Sequence, residues 1–276
     1  MKKFIFLILT LLSLLAGIAV YFMFLSGNES QKTTQVMKAA PETIKPQPIK
    51  IVALGDSLTE GVGDISENGG YIPYLVSLLE DENNIKKAQI DNYGVKGFRS
   101  EQLVSKLQSD VEVRTAIQEA DLVIVTIGGN DMMKVVRENI TNLNMADFLN
   151  QRDLYKENLS VLLKVIRQEN KHIHIVLVGL YNPFHQWFPE IEEMNEVVNE
   201  WNKHSQKILA QYPDTYFVDI MNLFKDDEEE LLYTDYFHPN NRGYELIADK
   251  IYQVLHHAAI DDVMEKKWLV QKQEEL

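Results

Sequence analysis

A serine, an aspartate and a histidine in this chain have the types and contexts that nucleophilic chemistry on a carbonyl requires. Ser57 lies in Gly55-Asp56-Ser57-Leu58-Thr59, directly after the apolar run Ile51-Val52-Ala53-Leu54, which reads as a buried strand. A serine hydroxyl is a weak nucleophile near neutral pH, so it needs a general base within hydrogen-bond reach, itself held by a third group. The segment Asp235-Tyr236-Phe237-His238-Pro239 supplies both. His238 is the candidate base. Asp235, three residues earlier, is placed to orient the imidazole and to stabilise its protonated form. Pro239 keeps His238 out of a preceding helix and suits the first turn of a following one.

Acyl transfer also needs donors for the oxyanion of a tetrahedral intermediate. Gly94, in Asn92-Tyr93-Gly94, lacks a side chain and so can bring its N–H close to a substrate. Asn130, in Gly128-Gly129-Asn130-Asp131, can offer a side-chain amide just past another apolar run. With the Ser57 N–H these make three donors. Asp56 and Asp131 read as braces for the loops that carry Ser57 and Asn130. Taken singly, each residue has a plainer reading: Ser57 as a helix cap, Gly94 as a turn, Asn130 as a left-handed loop residue. Of the seven histidines, His172 and His174 flank a strand and His256 and His257 lie near a helix end, where structural or solvated roles suffice.

The four segments together, in this order and at strand ends, resemble the SGNH (GDSL) hydrolases, a family of esterases and lipases. The resemblance implies that Ser57, Gly94, Asn130 and His238 are the family's four block residues, with Ser57 as nucleophile and an acyl-enzyme on it. It implies a reaction that uses no metal and no organic cofactor. Met132, Phe184, Trp187 and Phe188 are candidates for lining an acyl groove, with core packing as an equal alternative.

Such residues must be carried by a sheet. Apolar runs of strand length recur at 49–54, 88–93, 122–127, 173–178 and 215–220. Helical spacing lies between them: Tyr74, Leu75, Leu78 and Leu79; then Leu159, Leu162, Leu163 and Ile166; then Val197, Val198, Trp201 and Ile208; and finally Tyr244, Ile247, Ala248, Ile251 and Leu255. Strands alternating with helices require right-handed crossovers. The predicted class is α/β, a three-layer α/β/α sandwich on a central parallel five-stranded sheet, and the resemblance implies the same SGNH/flavodoxin-like fold.

The predicted organisation is a transmembrane anchor or signal segment over 1–25, a polar linker over 26–48, the hydrolase domain over 49–260 and a tail over 261–276 that docks on the domain or on a membrane. Lys2 and Lys3 precede residues 4–25, which carry no charge and as a helix would run roughly 33 Å, enough to cross a bilayer. Charge bias then keeps the lysines inside and sends the domain to the extracytoplasmic face, or outside altogether if the segment is cleaved. A formal net charge of −14 argues against a nucleic-acid partner. The absence of cysteine removes both disulfides and a lipidated cysteine from the account.

The partner expected at the site is an ester substrate, a lipid or an acylated envelope component. Rivals are a carbohydrate or cell-envelope O-deacetylase or an acyltransferase using the same serine, and a catalytically silent surface binding module. A two-metal phosphoesterase is disfavoured because the His-x-His pair, His172-Ile173-His174, opens a strand instead of ending one.

Overall fold

A computed structural model describes Tyr21 and residues 45–182, 193–225 and 227–274. The chain divides into two compact units, Met1–Thr43 and Ile44–Leu276. Of the first, only Tyr21, in helical conformation, is described. The predicted anchor over 1–25, that residue apart, and the linker up to residue 44 therefore lie outside the described residues. No helix among the described residues is long and apolar enough to cross a membrane.

The five apolar runs become five parallel strands: β1 (Gln47–Gly55), β2 (Ile85–Gly94), β3 (Leu122–Thr126), β4 (His174–Val178) and β5 (Thr215–Val218). β1 begins two residues inside the predicted linker, at Gln47. The strand order is β2-β1-β3-β4-β5. Both faces of such a sheet must be covered, and alternate residues of each strand accordingly feed two separate cores. Val52, Leu54, Val123, Val125, Ile175 and Leu177 point to one; Ile51, Ile124, Val176, Val178 and Val218 point to the other.

The first core is closed by α3 (Ser100–Ser109), α4 (Val111–Glu119), α5 (Gly129–Glu138), α6 (Met145–Glu169) and α7 (Glu193–Leu209), the second by α2 (Ile72–Glu80), α9 (Asn241–Ala258) and α10 (Ile260–Glu274). Two four-residue helices, α1 (Ser57–Glu60) and α8 (Glu228–Leu231), complete the order. The three-layer sandwich predicted from the sequence is present. α3 and α4 carry no predicted pattern, since each buries few apolar side chains, Leu103 and Leu107 in one, Val113 and Ile117 in the other. The segment predicted as a tail is helix α10. Ile260, Val263 and Met264 are buried in the second core, Lys267 Nζ lies 2.7 Å from Asp121 Oδ2, and Gln47 Nε2 donates to Gln271 Oε1 at 2.6 Å. It docks on the domain, at the amino-terminal ends of the strands.

One topological feature places the site. The chain leaves β1 for β2 on one side and then crosses to β3 on the other, so the connections after β1 and β3 diverge and leave a crevice at the carboxyl ends of these strands. Ser57 follows β1 and Asn130 follows β3.

Candidate active site

Ser57 is the first residue of α1, and its N–H has no helical carbonyl to receive it. Asp56 is the N-cap: its Oδ1 accepts from Leu58 N at 3.1 Å and from Thr126 Oγ1 at 3.1 Å. Behind the turn, Thr126 Oγ1 and Thr59 Oγ1 are 2.8 Å apart, and Thr59 Oγ1 lies 3.2 Å from Tyr71 Oη. This buried network ties the turn to β3 and α2. Burial pushes the Asp56 carboxyl up to about 7 despite the bonds it accepts, and the charge of Asp131 adds to that.

His238 and Ser57 are 181 residues apart in the chain, yet His238 Nε2 lies 2.9 Å from Ser57 Oγ. His238 Nδ1 lies 2.6 Å from Asp235 Oδ2. Asp235 Oδ1 accepts from the N–H groups of Phe237 and His238, each at 3.0 Å. The carboxylate is therefore held by its own loop before it meets the imidazole. Burial raises its pKa, but the His238 side chain and the two N–H groups outweigh that and hold it below the ordinary carboxylate value. The loop is closed by Tyr233 N donating to His238 O at 2.7 Å and by a hydrogen bond from the Tyr181 hydroxyl to the Phe237 carbonyl. Tyr181, three residues past β4, was not singled out from the sequence, where it is one of 12 tyrosines.

Asn130 is the second residue of α5 and its Nδ2 donates to Phe98 O at 3.0 Å, leaving the second amide hydrogen for a ligand. Asp131 braces the same loop: its carboxylate accepts from Ser100 N at 2.9 Å and Ser100 Oγ at 2.5 Å. Burial pushes it up to about 6, against the pull of those two bonds. The bracing read from the sequence for Asp56 and Asp131 is what their contacts show.

Gly94 requires a correction. Its N–H is committed to Asn92 Oδ1 at 2.9 Å, and a Cβ there would stand 2.2 Å from Glu60 N. Its glycine identity lets α1 close against β2, and its N–H faces its own strand instead of a substrate. Gly97, three residues on, is uncrowded: φ is +81° and nothing lies within 4 Å of a Cβ built on it. It adjoins Phe98, whose carbonyl meets Asn130.

A cavity beside Ser57 and Asn130 is bordered by Ile127, Met132, Val178, Leu180, Tyr181 and Phe237. Met132 borders it and is also buried in the first core, so both of its sequence readings have contacts. Phe184, Trp187 and Phe188 lie outside the described residues. The arrangement comprises a hydroxyl on an imidazole on a carboxylate, at a strand-order switch, with an amide and a free-ended helical N–H beside an apolar cavity.

The chain is similar to known proteins. The chain is 38% identical over 218 residues to the uncharacterized protein YpmR of Bacillus subtilis, covering 78% of this chain and 85% of that one. It is 27% identical over 207 residues to the spore germination lipase LipC of Bacillus licheniformis, covering 74% and 94%. Among solved structures, the lipase Lip_vut3 from a goat rumen metagenome superposes with a TM-score of 0.67 at 26% identity, over 75% of this chain and 97% of that one. A family model matches residues 53–246, a span from the middle of β1 to within α9 that includes the Ser57, Asn130 and Asp235–His238 segments. By that match and these relatives, the chain belongs to the GDSL-like lipase/acylhydrolase family and is an ester hydrolase of that kind.

Proposed function

We propose that this protein hydrolyses carboxylic esters of lipid-like or small acyl type through an acyl-enzyme on Ser57. The observation that carries the reading is the continuous chain from Ser57 Oγ through His238 to Asp235, at 2.9 and 2.6 Å. Ser57 Oγ attacks the ester carbonyl as its proton passes to His238 Nε2. Asp235 holds the Nδ1–H tautomer and stabilises the imidazolium that results. The oxyanion is received by the Ser57 N–H, the free hydrogen of Asn130 Nδ2 and the N–H of Gly97 in place of Gly94. Collapse expels the alkoxide, which takes the proton from His238. Water then attacks the acyl-enzyme as His238 accepts its proton, and the acid leaves as Ser57 regains its own.

The apolar side of the cavity, from Ile127 and Met132 to Tyr181 and Phe237, suits an acyl chain. Two of the similar proteins, LipC and Lip_vut3, are lipases, which supports lipid-like esters. The charge-free segment after Lys2 and Lys3 supports a domain held by residues 1–25 at the extracytoplasmic face of the cell membrane.

The test is hydrolysis of p-nitrophenyl esters from acetyl to long acyl by the full-length chain, with Ser57→Ala alongside and with and without EDTA. Chelator-resistant turnover that falls by about 10⁴ to 10⁶ in Ser57→Ala is the expected result. Turnover unchanged in Ser57→Ala would overturn the mechanism. The preferred chain length separates a deacetylase from a lipase. Membrane fractionation, with extraction by detergent but not by carbonate, checks the anchor.

A further inference from the structure

At the opposite end of the sheet, His174 opens β4 and is only 2% exposed. Its ring stacks on Tyr216 of β5, with centroids 5.9 Å apart and planes 2° from parallel, and its Nδ1 lies 3.1 Å from Tyr216 Oη. The Tyr216 hydroxyl has one proton, which it donates to Ala258 O at 3.0 Å. With its proton placed there, the hydroxyl accepts from His174, which puts the ring proton on Nδ1 and leaves a lone pair on Nε2. That buried nitrogen has no hydrogen-bond partner. It lies 3.0 Å from Asp262 Oδ2, but without the geometry of a hydrogen bond. Asp214, held at φ +53° just before β5, brings a second carboxylate, and the three ligand atoms lie within 4.8 Å of one another. The Lys266 ammonium already balances the charge of Asp262, but in this tautomer the Nε2 lone pair still faces two carboxylate oxygens, and a cation bound directly to the nitrogen would relieve that.

We propose that His174 Nε2, Asp214 and Asp262 bind a divalent transition-metal ion of the zinc type, which pins α10 to the amino-terminal edge of the sheet. Ligand atoms around a tetrahedral zinc stand about 3.4 Å apart, close to the His174–Asp262 spacing. One imidazole with two carboxylates selects zinc-like ions over magnesium or calcium, which prefer oxygen alone. The second ring nitrogen is fixed by an outer partner, Tyr216, as metal-bound imidazoles normally are. His174 and Lys266 border a cavity of about 530 Å³. Lys266 Nζ, 2.7 Å from Asp262 Oδ2, is the competing cation and must give way. The site is remote from Ser57, and its effect is on stability: an ion bound only by the folded state raises the unfolding free energy by mass action.

The test titrates ZnCl₂ into the chelator-stripped full-length chain by calorimetry, with thermal unfolding followed in parallel. Wild type is expected to take up one zinc and unfold at a higher temperature with it. Asp262→Asn, at an exposed position, and His174→Gln are each expected to weaken binding at least tenfold. Tyr216→Phe should weaken it by about 10- to 100-fold. Lys266→Ala should tighten it several-fold, an outcome that a merely structural His174 would not produce. No zinc uptake by wild type, or uptake equal in wild type, Asp262→Asn and Lys266→Ala, would overturn the proposal.

Discussion

The carboxylates at the carboxyl edge of the sheet divide into two kinds. Asp56 and Asp131 lie beneath the loops that carry Ser57 and Asn130, buried from water and bonded to uncharged donors, and their pKa values are pushed up to about 7 and about 6. Asp235 lies in a partly exposed loop, bonded to an imidazole and to two backbone N–H groups, and its pKa is lowered. Depth by itself would make the buried pair look like the unusual, reactive acids. The partners show the reverse division of labour. A carboxylate that must stabilise a transient imidazolium has to remain charged, and only Asp235 has the donors to do so at modest desolvation. Asp56 and Asp131 serve geometry, through the Leu58, Thr126 and Ser100 bonds.

The largest expected effect sets these acids against each other. Asp235→Asn presents an amide N–H to His238 Nδ1 and favours the wrong tautomer, so kcat should fall by about 10⁴. Asp56→Asn, which can still accept from Leu58 and Thr126, should change kcat by less than about tenfold. Equal losses in steady-state assays would break the distinction.

Next, Asn130→Ala should lower kcat by about 10² to 10³ with little change in KM. A change confined to KM would make Asn130 a binding residue. Gly94→Ala sharpens the line between bracing and reacting from the other side. A Cβ 2.2 Å from Glu60 N should cost roughly 1–3 kcal/mol in urea unfolding, whereas a protein with unaltered stability and lost turnover would return Gly94 to the oxyanion site.

The smallest effect is a pair of opposite pH slopes. Folded Asp56 holds its proton more tightly than the unfolded chain does, so its contribution to stability falls as pH rises from about 4 to about 7. Folded Asp235 holds its proton less tightly. Its contribution is present above the unfolded value and is lost as pH falls through the lower folded value. Urea midpoints between pH 3 and 8 should flatten over the upper range in Asp56→Asn and over the lower range in Asp235→Asn.

Much of the fold was legible because parallel strands buried on both faces are nearly continuous apolar runs. All five were visible, and with them the class, the layers and the strand ends where Ser57 and Asn130 lie. The Asp235-to-His238 spacing was legible for the same local reason: three residues span a single loop. Gly94 and Gly97 were not separable, because which backbone N–H is already taken depends on the side chain of Asn92 and on the approach of α1. Tyr181 escaped notice because its partner, the Phe237 carbonyl, is 56 residues away. The segment from 261 onward could not be assigned by pattern, since its fully buried apolar side chains end at Met264, Leu269 and Val270 are exposed, and its remaining ties, Lys267 to Asp121 and Gln271 to Gln47, are polar and long-range.

The sequence by itself determined the element types, the parallel sheet and the identities of a nucleophile, a base and an acid, because these rest on local periodicity and on side-chain chemistry. Tertiary structure alone decided that Ser57 and His238 meet across 181 residues, which glycine is crowded, which carboxyl pKa values rise and which fall, and what His174 faces. Those are properties of distance, burial and competing partners, and they come into being only when the strand order brings remote segments to one edge.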